Sequence, residues 1–124
     1  MTEARLMTRA WSELSAHFRH PEEVACTAIA ELCDYIEARP IRSGVHGWQS
    51  MYTLCVVQIP VAYPYEGPRL QIEPRSNGSV EFRYVDTYIQ KRMWTRVEPA
   101  DRVIERFRKT MIQLGWFTDR TTLD

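Results

Sequence analysis

The sequence predicts a single α+β domain: a three- or four-stranded antiparallel sheet packed against N-terminal and C-terminal helices. Apolar residues recur at helical spacing near both ends of the chain. In the middle they alternate with polar residues at a period of two. The length of 124 residues suits one core and not two. The domain is expected over 1–117, with 118–124 as a frayed polar tail.

Residues 3–18 carry Leu6, Ala10, Leu14 and Phe18 at intervals of four, with Met7 and Trp11 beside them. This is an amphipathic helix pattern, and Glu3 suits the positive end of its dipole. It ends at Arg19-His20-Pro21, because the residue before a proline is pushed out of the α region. Pro21-Glu22-Glu23 then opens a second segment, over 21–38. Val24, Ala28, Ile29, Leu32 and Ile36 favour a helix there, although Thr27, Ile29, Tyr35 and Ile36 also suit a strand. Pro40 closes the segment, and residues 42–47 read as a loop.

Residues 48–59 read as one strand. Trp48, Tyr52, Leu54 and Val56 share one face; Met51, Cys55, Val57 and Ile59 share the other. Both faces are apolar, so a central strand covered on both sides is expected. Prolines at 60, 64 and 68 make 60–68 a stiff, extended loop. A hairpin follows over 69–74 and 79–85, with Asn77-Gly78 between its strands. Ile89, Met93 and Val97 fit a short helix or an edge strand over 86–97. Residues 99–114 form a helix opened by Pro99, with Val103, Ile104, Phe107, Met111 and Leu114 on its stripe. Gly115 suits the left-handed position past its end, and Trp116 folds back on the last turn.

Chemical signatures are sparse. His17, His20, Cys26 and Cys33 are a metal-like set, but the two cysteines lie too far apart to chelate one ion from a single helix, and no close cysteine pair is present. The odd count of three cysteines reads as free buried thiols, not a disulfide framework. Cys33, Asp34 and His46 can be arranged as a nucleophile, an orienter and a base, but no nucleophile-elbow motif accompanies them. The carboxylates Glu22 with Glu23, and Glu31 with Asp34, fit a solvated helix face. No glycine-rich phosphate loop occurs. No catalytic residue, metal or cofactor is expected.

Charge distribution says more than the formal net charge of +0, which disfavours a bulk nucleic-acid binder. Residues 1–68 hold five basic and eight acidic side chains, whereas 69–109 hold ten basic and six acidic. Within the basic part, cations interleave with aromatics. Arg83, Tyr88, Lys91, Arg92, Trp94 and Arg96 are the expected interface, with Tyr84 among them. Arginine and aromatic residues dominate protein-binding hot spots, and the same residue types can stack bases and neutralise phosphates.

The stretch from Val57 to Ile72, VQIPVAYPYEGPRLQI, resembles the core of the ubiquitin-conjugating-like and RWD families. There a strand runs into a Tyr-Pro turn, then a proline, then the next strand; here these are Ile59, Tyr63-Pro64 and Pro68. The resemblance implies a first strand over 25–38. It also implies a non-catalytic, protein-binding version, because no cysteine follows Cys55 and the family's His-Pro-Asn is missing.

The expected function is therefore non-enzymatic: an adaptor, inhibitor or immunity-type factor that binds another protein. Nucleic-acid contact through 69–109 is the alternative, and a small enzyme with an unrecognised site is a second. No signal-peptide or membrane-spanning apolar run is seen, which points to the cytoplasm and away from membranes.

Overall fold

The helix expected over 3–18 begins only at residue 11 in the computed structural model, which describes residues 6–117 and 122–124. Helix α1 spans Trp11–Phe18. Residues 6–10 run extended instead: the Met7 N–H donates to the Val61 carbonyl and the Arg9 N–H to the Gly47 carbonyl, each at 2.8 Å. The sheet edge and the proline-rich loop offer these acceptors, and a longer helix would leave them open. Extended geometry also packs Met7 against Trp48, Cys55, Val57 and Val61.

Helix α2 spans Val24–Glu37, as its apolar stripe predicts, so the strand implied for 25–38 by the family resemblance is not there. Strands β1 (His46–Ser50) and β2 (Thr53–Val57) replace the single strand expected over 48–59. Chain reversal at Met51-Tyr52 splits it, with Met51 at a φ of 56°. Strands β3 (Arg69–Pro74) and β4 (Ser79–Val85) form the expected hairpin. A short 3-10 turn at Gln90–Arg92 leads into β5, Trp94–Pro99, which settles 86–97 as a loop and an edge strand. Pro99 ends β5 opposite Ser79 and does not open the last helix. After a 3-10 turn, α3 runs over Val103–Gln113.

These elements make one small α+β domain. Its five strands are antiparallel in the order β1-β2-β3-β4-β5, one more than the largest number expected. The helices cover one face in matching order: α1 over β1, α2 across β3 and β4, α3 along β5. Helix α2 is thus the middle of the layer and not an attachment to it. Leu54, Val56, Leu70, Ile72, Val80 and Phe82 meet Leu14, Phe18, Ile29, Leu32, Ile36, Phe107 and Met111 in the main core. On the other face a smaller cluster of Trp48, Cys55, Val57 and Val61 lies under Met7 and Tyr65, so β2 is covered on both sides as expected.

Gly115 takes a φ of 70° past the end of α3. Its N–H donates to the Ile112 carbonyl and that of Trp116 to Met111, which satisfies two terminal carbonyls. Residues 118–121 lie outside the described residues. The last three are packed, not frayed: Leu123 is 1% exposed, its carbonyl accepts the Tyr35 hydroxyl, and Asp124 pairs with Arg108 at 2.5 Å. A buried leucine seats residues 122–124.

Candidate interaction surface

Two loops leave the sheet at the same end. Residues 58–68 join β2 to β3, and 86–93 join β4 to β5. The second is held by Asp86, only 3% exposed, whose Oδ1 accepts the N–H groups of Tyr88 and Ile89, both at 2.9 Å. This local carboxylate–backbone turn spends the acid internally. Thr87 ties the loops together, its hydroxyl donating to the Glu66 carbonyl.

Tyr65 anchors the first loop. Its ring packs edge-on against Trp48 with centroids 6.1 Å apart, and its hydroxyl donates to the Pro68 carbonyl at 2.8 Å. Burial pushes the Tyr65 phenol up, and the nearby Tyr88 adds to that. Tyr84 is pushed up likewise, by burial first and then by Asp86.

With these groups turned inward, the same loops leave large side chains facing solvent. Tyr63 and Tyr88 are each 79% exposed, and Ile59, Ile89 and Met93 are exposed beside them in sequence. Among the described residues, no acidic side chain pairs with Lys91 or Arg92. The result is an aromatic and cationic end whose two loops are tied together through Thr87 and Asp86.

The structure places the six expected interface residues in three settings. Tyr88, Lys91 and Arg92 come together on the 86–93 loop. Trp94 and Arg96 lie on β5, opposite Tyr84 and Phe82, and so on the helix-covered face. Trp94 is half-buried against the core, 6.3 Å from the Tyr84 ring, and Arg96 is exposed at the rim. Arg83 points to the opposite face and pairs with Glu81 at 3.4 Å. Strand alternation therefore divides what the linear run suggests is one patch. Tyr63, Ile89 and Met93 were not among the expected residues; the signal for Tyr63 is its place in a proline-rich loop that cannot enter the core.

The opposite end holds an open cleft of about 760 Å³, lined by Glu22, Glu23, Cys26, Tyr52, Arg75 and Asn77 among others. Its thiol is poorly suited to nucleophilic attack. Cys26 is pushed up to about 11, first by burial and then by Glu23, whose carboxylate accepts the Sγ–H at 3.2 Å. Cys33 is pushed up to about 12 by burial, and Asp34 adds to that. Asp34 is itself engaged by Ser15 and Arg19. His46 lies on the far face of the sheet from Cys33, so that trio does not assemble. His17 and His20 pack around Tyr52, with centroids 5.6 and 5.5 Å away. Among the described residues no group of three or more His, Cys, Asp or Glu side chains is placed to hold a metal ion. No helix among them is long and apolar enough to cross a membrane.

No family model, curated protein or solved structure matches this chain.

Proposed function

We propose that this is a non-enzymatic, cytoplasmic protein that binds another protein, in the manner of an adaptor, inhibitor or immunity-type factor. The loop end of the sheet, bearing Tyr63, Tyr88, Ile89, Lys91 and Arg92, is its docking surface. One observation carries the reading: two tyrosines, each 79% exposed, stand on loops braced by Asp86 and by the Thr87–Glu66 bond. Aromatic and cationic side chains mounted on a braced loop are what interface hot spots are made of. Lys91 and Arg92 suit an acidic partner surface.

Kinship with the ubiquitin-conjugating-like and RWD families is part of the proposal. Tyr63-Pro64 and Pro68 join β2 to β3 here, and a member without the nucleophile fits a binding role.

The test is comparative affinity capture from native lysate. Tyr88→Ala with Lys91→Glu should release the captured protein, whereas Arg83→Ala, on the other face of the sheet, should retain it. Equal retention by both variants would defeat the reading. Loss of the captured species on nuclease treatment would favour nucleic-acid contact instead, whose binding falls steeply with salt.

A further inference from the structure

We propose that a second copy of this chain pairs with the free edge of β5, joining two five-stranded sheets into one of ten strands through an Arg96–Glu98 ion pair formed twice across a two-fold axis. The two outer edges differ. Strand β1 is bridged on its outer side at Gly47, by the Arg9 N–H. Strand β5 ends the sheet, and among the described residues no backbone bridge reaches its outer side. An open row of backbone donors and acceptors is a template for another strand.

Geometry limits the registers. A two-fold axis normal to the sheet keeps the helix-covered faces of both copies on one side, so even-numbered residues must face even-numbered ones. The β4 pairing places Trp94, Arg96 and Glu98 on the helix-covered face and Thr95, Val97 and Pro99 on the other. Only two symmetric registers overlap most of the Trp94–Pro99 strand. One centres on Arg96 and sets it against the second copy's Arg96, a like-charge contact that destabilises pairing. The other centres on Val97. It sets Val97 against the second copy's Val97, and Arg96 against the second copy's Glu98, with Cβ atoms roughly 5 Å apart.

The side chains suit the second register. Arg96 is exposed and pairs with no acid among the described residues. Glu98 is held in place by Arg106 Nε at 2.8 Å, which occupies one carboxylate oxygen, Oε1. Among the described residues no side chain pairs with its other oxygen, which is left for the incoming guanidinium. Val97, an apolar residue 47% exposed on an edge strand, lands on the axis, where its partner covers it. The loop proposed as the docking surface leads into this strand at Trp94, but self-association is read by sedimentation and partner binding by capture, so each can fail without the other.

Sedimentation of the intact chain from about 1 to about 500 μM tests this, a range that brackets a micromolar association. The expected result is a monomer–dimer equilibrium that Arg96→Glu weakens about tenfold or more and Arg96→Lys preserves. Val97→Cys should form a covalent dimer under mild oxidation, while Val24→Cys, exposed on α2, should not. A monomer at every concentration overturns the proposal. So does a dimer that is indifferent to Arg96→Glu, or one that fails to cross-link through Val97→Cys.

Discussion

His17 holds the carbonyl of Met51: its Nε2 lies 2.6 Å from that oxygen and must be the donor. Met51 is the one non-glycine residue at positive φ among the described residues, and it is followed by Tyr52 in a two-residue hairpin turn. Positive φ at the first turn residue alone is the type II′ pattern, which glycine fills without strain. The α1 helix thus pins an unfavourable turn from outside. Met51→Gly should raise stability by about 0.5–1 kcal/mol, because relief of the backbone strain outweighs the added freedom of the unfolded chain. His17→Ala should lower it by about 1 kcal/mol. Urea titrations of both variants check this, and a destabilised Met51→Gly protein would count against it.

Gly47 marks a close approach between β1 and α1. A Cβ there would meet the Trp11 ring at 2.8 Å and the Cys55 carbonyl at 3.2 Å. Trp11 is buried and cannot swing away cheaply. Gly47→Ala should therefore cost about 1–3 kcal/mol, the usual penalty of overpacking. Gly78→Ala is the contrast: open space surrounds it, and its φ of 86° alone sets the cost. A thermal melt in which Gly47→Ala matches the parent would show that the helix is not seated on the strand as described.

The apolar stripes of α2 and α3 were legible because burial on one side imposes a helical period, and Gly115 marked the helix end through its backbone freedom. The β3–β4 hairpin was legible from alternation and Asn77-Gly78. The β1–β2 turn was not. Met51-Tyr52 carries no turn chemistry, and apolar residues on both faces made two strands look like one. Helix α1 was overextended because Leu6 and Ala10 keep its period, whereas long-range backbone acceptors on Gly47 and Val61 decide the outcome. At the candidate surface the composition of 83–96 was visible, but its division between two faces depends on register, which no linear run displays.

Arg106 and Glu98 form the least exposed ion pair among the described residues, at 2.8 Å, and join α3 to the edge strand. Arg106→Ala strands a half-buried carboxylate on β5. The expected cost is about 2 kcal/mol, more than the exposed pairs on the same helix are worth. Arg102→Ala, whose partner Glu105 is exposed, should leave the urea midpoint nearly unchanged. Urea midpoints for the two variants compare them directly; equal losses would mean the α3–β5 contact is not held by this pair.

The three thiols make stability fall at alkaline pH. Cys26 and Cys55 are pushed from 9.0 up to about 11, and Cys33 to about 12, in each case chiefly by burial. A folded-state value above the unfolded one means that the native protein keeps a proton the unfolded chain releases. The resulting stabilisation is fully present below about pH 9 and is lost as pH rises towards 11 and 12. Tyr35, Tyr65 and Tyr84 are raised as well and act in the same sense. Replacing all three cysteines by alanine should lower stability at neutral pH yet flatten its decline above about pH 9. A thiol reagent at about pH 8 should label none of the three cysteines in the folded protein and all three in denaturant. Rapid labelling of the native chain would mean that at least one of these side chains is open to solvent.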